Sequence, residues 1–213
     1  MAPGHPSNMG RRSEHTAHEL REMILQATTE LIESDGLAGV SAREIARKIE
    51  YSPGTLYNAF RNLDDVILTL EARMLDELQA RLEGIPLDGN PQSDLQRIGE
   101  TYVAFSSDNA QLWNLLFQHQ IPNSEPIPDW YRAKLDGLTQ RLEVALAPLL
   151  VNAKPTEANR AASVLWAGVH GIASLSTAEK LTNITKESAA LLVSDLISHY
   201  LDGMSHRLAN GRS

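Results

Sequence analysis

Two helix starts crowded into residues 41–60 constrain this chain more than any other feature. Ser41-Ala42-Arg43-Glu44 has the form of a capping box. In such a box the Ser hydroxyl accepts from the third helical amide and the Glu carboxylate reaches back to the Ser amide. Ile45, Ala46 and Ile49 give the helix that follows a short apolar stripe. Ser52-Pro53-Gly54-Thr55 opens a second helix within a few residues, with Ser as its cap. Pro at the first helical position lacks an amide that would have gone unpaired anyway. Leu56 and Phe60, four apart, face inward. Upstream, Leu20, Ile24, Ala27 and Leu31 recur at helical spacing, and Ser34-Asp35-Gly36 stops that helix with a left-handed glycine. Two short helices joined by a tight turn, with a third before them, describe a helix-turn-helix.

The residue types at the second start suit a duplex. A recognition helix pushes its N-terminus into the major groove. Gly54 has no side chain, so backbone can come close to DNA. Ser52 and the amides beside it can hold a phosphate. Thr55 can meet a base edge or a thymine methyl, and Asn58 can pair with adenine through two hydrogen bonds. The Tyr57 phenol can reach a phosphate. Arg43 and Arg47, on the preceding helix, can reach a base edge or the backbone. Arg11 and Arg12, in a small, polar, Pro-containing arm over residues 1–14, suit a minor groove or phosphates. The candidate interface is Ser41, Arg43, Ser52, Pro53, Gly54, Thr55, Tyr57, Asn58 and Arg61. Charge pulls the other way. The chain carries a formal net charge of -8, and residues 1–65 hold seven Lys plus Arg against ten Asp plus Glu. DNA meets one surface only, so the distribution of charge over faces decides.

The stretch Ser41 to Phe60 resembles the DNA-binding signature of the TetR family of bacterial regulators. The matching positions are Ile45-Ala46, Ser52, Gly54, Leu56-Tyr57 and Phe60, and the helix order extends the likeness over roughly residues 15 to 70. The resemblance implies an all-α protein, with a helix-turn-helix domain over 15–65 and a helical ligand-binding and dimerisation domain over 66–213. Two positions depart from the family's pattern. Glu50 stands in the turn where the family commonly has Gly, and a left-handed Glu there costs on the order of 1 kcal/mol or more. Leu63 stands where the family commonly has a phosphate-touching Lys, with Arg61 as the candidate to take that contact.

The rest of the chain reads as helix. Asn62-Leu63-Asp64-Asp65 starts a long one to about Glu83, carrying Val66, Leu70, Met74, Leu75 and Leu78. After a turn-rich break from Gly84 to Pro91, Ser93-Asp94-Leu95-Gln96 is expected to cap the next. A short apolar helix covers Leu112 to His119, a Pro-rich loop covers 120–129, and a further helix runs from Asp129 to about Pro148. Two last helices are expected near 156–178 and 186–208. Trp166-x-x-x-His170-Gly171 resembles a segment of one C-terminal subfamily, in which the last two helices form the homodimer. The small residues Ala167, Gly168, Gly171 and Ala173 permit close helix approach. The aromatics gather in this half, and the resemblance makes Tyr102, Phe105, Trp113, Phe117, Tyr131, Trp166 and His170 the candidate lining of a pocket for a small apolar or amphipathic ligand. An apolar core and a satisfied histidine are the competing reading of the same residues.

No His, Asp or Glu spacing suggests a metal, no Gly-rich loop suggests a nucleotide cofactor, and no nucleophile elbow suggests hydrolysis. There is no Cys. No apolar run reaches the roughly 18 to 20 residues of a membrane span. Together with these absences, the resemblance implies a cytoplasmic, non-enzymatic homodimer on a pseudo-palindromic operator. A repressor released by a ligand heads the alternatives. A ligand-independent or activating regulator of the same fold, and a helical adaptor that has lost DNA affinity, remain beside it.

Overall fold

The computed structural model describes residues 15–119 and 127–210, with side chains excepted at 117, 118 and 208–210. Among the described residues every regular element is helical. In chain order these are α1 (Ala17–Asp35), α2 (Ala42–Lys48), α3 (Pro53–Leu56), α4 (Leu63–Glu83), α5 (Pro91–Asp108), α6 (Ala110–Gln118), α7 (Asp129–Leu146), α8 (Pro155–Thr177) and α9 (Ala189–Asn210). Two compact units divide between Val66 and Ile67, inside α4. None of the described helices is long and apolar enough to cross a membrane.

The first unit buries Ile24, Leu25, Ala27, Leu31 and Ile32 of α1 together with Ile45, Ala46, Leu56 and Phe60. Full burial of such a side chain contributes roughly 1.5–3 kcal/mol. Thr16 begins α1 with a reciprocal capping box: its hydroxyl accepts from Glu19 N (3.2 Å) and its own amide donates to Glu19 Oε2 (2.7 Å). Gly36 ends that helix at φ 69°, its N–H bonded to Ile32 O. At α2 only half of the expected box forms. Ser41 Oγ accepts from Glu44 N, but the Glu44 carboxylate turns to Arg47 (2.8 Å). At α3 the expected cap is absent. Ser52 Oγ shares a hydrogen bond with Thr55 Oγ1 (3.0 Å), while Pro53 takes the first helical position. Beyond Leu56 the chain continues in hydrogen-bonded turns to Phe60.

The second unit holds one contiguous core from α4 to α9. Pairs α5–α9, α5–α8, α7–α8 and α8–α9 make its main contacts. Two glycines let these helices approach. A Cβ on Gly99 would stand 2.7 Å from Val193 Cγ1, and one on Gly168 would stand 2.7 Å from Leu196 Cδ2. The start of α5 differs from the sequence expectation. Asn90, not Ser93, is the cap, accepting from Gln92 N (3.0 Å) and Ser93 N (3.4 Å), with Pro91 at the first position. Asp94 is instead buried and accepts from Asp88 N, Gly89 N and the Arg97 guanidinium. Helix α7 stops at Leu146 because Pro148 falls in a 3₁₀ turn over Ala147–Leu149. Helix α9 opens at Ala189, three residues later than expected, with Ser188 Oγ accepting from Leu191 N.

Candidate nucleic-acid interface and interior cleft

In the first unit, packing divides the motif cleanly in two. Ile45, Ala46, Leu56 and Phe60 point into the core; Arg43, Ser52, Pro53, Gly54, Tyr57, Asn58 and Arg61 stay exposed, with Ser41 and Thr55 half-buried. Tyr57 is 56% exposed, a large aromatic left in water beside a well-filled core. Gly54 has an ordinary backbone, and a Cβ there would meet only Ser52 Oγ at 3.9 Å. Nothing inside this unit requires glycine at that position. The cations separate likewise. Arg47 is held by Glu44 and Lys48 by Glu30, each at 2.8 Å. No ion pair engages the guanidinium of Arg43 or Arg61 among the described residues. Arg11 and Arg12 lie outside the described residues.

The scaffold beneath this tip includes contacts that sequence reasoning missed. Arg21 of α1 donates to Ala59 O (2.9 Å) and sits 4.0 Å over the Phe60 ring, clamping the turn that follows α3. His15 Nδ1 and the Tyr51 hydroxyl are 2.7 Å apart. Both pairs span more than thirty positions in the chain, a separation that carries no local signal. Glu50 does take the left-handed conformation, at φ 61°. Tyr51 N donates to Ala46 O and Glu50 N to Arg47 O, the two bonds of a Schellman ending with Glu in the glycine position.

In the second unit a narrow cleft runs between α4, α5, α7, α8 and α9, with room for about one water molecule. Its walls are Leu82, Leu95, Ile98, Gly99, Tyr102, Leu138, Leu142, Leu165, Trp166, Val169 and Ile197. Of the aromatics singled out from the sequence, Tyr102 and Trp166 line it. Trp113, Phe105 and His170 form the ring layer in contact with them: Tyr102–Trp113 centroids are 5.1 Å apart, Phe105–Trp113 6.1 Å and Trp113–His170 5.5 Å. Trp166 stacks on His170 at 4.7 Å and 11°. Tyr131 lies away from the cleft lining, and the side chain of Phe117 is outside the described residues.

The polar chemistry of this ring layer follows from burial. The Tyr102 hydroxyl and His170 Nδ1 are 2.6 Å apart. Desolvation pushes the Tyr102 phenol far above its ordinary range, a nearby Trp166 N–H working weakly against it. Desolvation also pushes His170 down to about 4. The imidazole is therefore neutral near pH 7, and the phenol and Nδ1 share one hydrogen bond. The indole N–H groups of Trp113 and Trp166 are buried without an acceptor in hydrogen-bond geometry. A second polar cluster lies on α4, α6 and α7. Buried Glu71 accepts from the Tyr131 hydroxyl (2.8 Å) and lies 3.1 Å from His119 Nδ1. Burial and the Glu71 carboxylate both push the Tyr131 phenol upward. Sequence gives no hint of Glu71, whose partners lie 48 and 60 positions away.

Comparison with known proteins supplies the family. Residues 24–70 match the model of bacterial regulatory proteins of the tetR family, and residues 95–200 match that of the tetracyclin repressor-like C-terminal domain. The uncharacterized HTH-type transcriptional regulator YobS of Bacillus subtilis is 26% identical over 89 residues, which are 42% of this chain; the match spans about half (47%) of that relative's length. A protein of unknown function from Rhodococcus sp. RHA1 superposes with a TM-score of 0.69, at 20% identity over 94% of this chain and 98% of that one. FadR of Thermus thermophilus, a TetR-family transcriptional repressor solved in complex with lauroyl-CoA, superposes with a TM-score of 0.59, at 21% identity over 86% of this chain and 94% of its own. At these identities the structural likeness is one of fold. Both matched models describe parts of one family of bacterial regulators, the first taking in α2 and α3 and the second most of the helices from α5 to α9. The chain belongs to the TetR family of bacterial transcriptional regulators.

Proposed function

We propose that this regulator is a homodimeric repressor that grips a pseudo-palindromic operator through residues 52–58 and leaves it when a small molecule enters the cleft. The observation that carries the DNA half is Gly54: exposed, unstrained and with open space above its Cα. A glycine that its own fold does not need is explained by an external surface that must come close. Around it, Tyr57, Arg43 and Arg61 supply phosphate contacts, while Asn58 and Thr55 supply base contacts. Ser41 and Pro53 position the two helix starts, and Ser52 offers its hydroxyl to the backbone.

The dimer half is supported by α8 and α9. Val164, Ala167 and Leu175 of α8 are exposed along one stripe, and Gly171 between them has nothing within 4 Å of where a Cβ would be. Half-buried Leu192, Leu196 and Tyr200 of α9 continue the apolar surface. A twofold pair reads a pseudo-palindromic operator whose half-sites lie about one helical turn apart, roughly 34 to 36 Å.

The ligand half follows from the narrowness of the cleft. Anything larger than water must part Leu82 of α4 from the walls contributed by α5, α7 and α8. Helix α4 begins in the unit that carries the recognition tip. A ligand therefore favours one placement of α4 over another, and only that differential affinity moves the operator equilibrium. FadR, of the same fold, is the precedent for a repressor that takes a small molecule, lauroyl-CoA.

Footprinting on the chain's own upstream region, with and without candidate small molecules, tests the proposal. Tyr57→Ala should weaken every sequence alike, by about 1–3 kcal/mol, whereas Asn58→Ala should relax preference at one base position. Equal effects on every operator variant contradict these roles, and operator binding that no small molecule alters contradicts release by ligand. A steep fall of affinity with salt is expected from phosphate contacts. A flat salt dependence would favour the adaptor reading, to which the Glu44–Arg47 and Glu30–Lys48 pairs lend some support.

A further inference from the structure

We propose that a groove between α4 and α7 is the mouth of the cleft, and that the ligand is an elongated amphipathic molecule. Its alkyl body passes between Leu82 and Leu138, while an alcohol- or amide-type head stays in the groove on Gln79 and Gln140. The inference rests on the reading of the second unit as ligand-binding and names where the ligand enters and which end leads. The groove has a volume of about 140 Å³, against about 10 Å³ for the cleft. Leu82 and Leu138 line both spaces, each 3% exposed. The two spaces therefore share one apolar wall, and parting this pair joins them.

Side chains tie α4 to α7 on either side of the groove. Tyr131 donates to Glu71 (2.8 Å), and Lys134 donates to Asp76. Further along, Arg141 donates to the carbonyls of Leu82, Glu83 and Ile85. Between Lys134 and Arg141, α7 presents Gly137, and the Gln79 side chain covers it. A Cβ at Gly137 would stand 2.9 Å from Gln79 Oε1. The Gln79 amide is held by an exposed hydrogen bond to Glu83 on its own helix (2.7 Å). A glutamine side chain has many rotamers, so this cover swings aside while the ties at either end stay made.

The rim selects the head. Arg141 donates to backbone carbonyls and Glu83 accepts from Gln79, so the charged groups here are already engaged. The amides of Gln79 and the exposed Gln140 both donate and accept, which suits a hydroxyl or an amide. Beyond the shared wall, Leu95, Ile98, Leu142 and Val169 offer an aliphatic lining that suits an alkyl chain. A head drawn past the pair would lose its hydration, whereas one left in the groove keeps it.

Stopped-flow fluorescence on the full chain with 8-bromo-1-octanol tests this, because bromine quenches an indole that it touches and Trp166 lines the cleft. The chain has no Cys, so Gln79→Cys with Gly137→Cys gives a single pair of thiols across the mouth. A short bis-methanethiosulfonate closes that pair and dithiothreitol reopens it. Quenching is expected in wild type and in the open pair. Closing the link should slow association at least about tenfold. Reduction should restore the rate, which keeps misfolding from mimicking the result. Gln79→Leu with Gln140→Leu should weaken binding roughly three- to tenfold, through the lost hydrogen bonds of the head. Absence of quenching, association that the link leaves unchanged, or wild-type affinity without the two amides would each overturn the inference. Operator binding by the same preparation keeps the two claims apart. Quenching that the link blocks, without operator binding, upholds this inference and removes the repressor reading. Operator binding with association that the link leaves unchanged does the reverse.

Discussion

Glu50 and Glu179 both hold left-handed backbone, at φ 61° and 57°, and both close helices through the same pair of hydrogen bonds. For Glu179 these are Glu179 N to Ser176 O and Lys180 N to Leu175 O. A Cβ in this conformation crowds the following carbonyl, at a cost of roughly 1–2 kcal/mol that glycine avoids. Each Glu→Gly substitution should therefore stabilise the chain by about 0.5–1 kcal/mol after the greater freedom of glycine in the unfolded state is subtracted. Urea denaturation checks this, and a lower midpoint in either variant contradicts it. The left-handed turn at Glu50 was legible in the sequence because the signature fixes its position. The one at Glu179 was not, because the chain there shows neither Gly nor Asn to mark it.

Helix ends show where local reasoning succeeds and where it stops. Gly36, Asn62 and Pro53 act through their own backbone or nearest amides, and the structure has each in the place the sequence assigns it. Ser52 and Ser93 carry the same local cap signal, but Thr55 and Asn90 offer competing partners that the local sequence does not rank. The C-terminus of α4 lies beyond local reasoning altogether. Arg141 of α7 donates to Leu82 O (3.1 Å), Glu83 O (3.3 Å) and Ile85 O, tying carbonyls at and just past the helix end to a side chain more than fifty positions away. Arg141→Met keeps the aliphatic stem and removes the donors. It should cost about 1–3 kcal/mol in chemical denaturation, and an unchanged midpoint would show that water satisfies those carbonyls as well. The pocket aromatics were legible as a cluster but not as a lining. Helical periodicity places Tyr102, Phe105 and Trp113 inward without saying which ring meets a cleft and which meets another ring.

On the scale of the whole molecule, one buried base links stability to pH. His170 is neutral in the fold, held at about 4 by desolvation against an ordinary 6.5. The unfolded chain takes up this proton from about pH 6.5 downward and the folded chain resists it. Stability therefore falls as pH drops from about 6.5 to about 4, with no further loss from this group below that window. The loss is on the order of a few kcal/mol. Thermal midpoints measured across the window should decline in wild type and flatten in His170→Gln; an equal decline in both would assign the effect to other groups. The larger claim is that an acidic chain binds an acidic polymer because one small tip is shaped for it, and Gly54 is the residue that isolates this claim. Ala fits there without clash or strain, so Gly54→Ala should leave the thermal midpoint unchanged or slightly higher. The same methyl has to be forced into the contact with DNA, at about 1–3 kcal/mol, so operator affinity should fall on the order of tenfold or more. Operator titrations of Gly54→Ala beside wild type are the direct test: a stable protein with weakened binding is the predicted result, and a stable protein with undiminished binding would contradict the account.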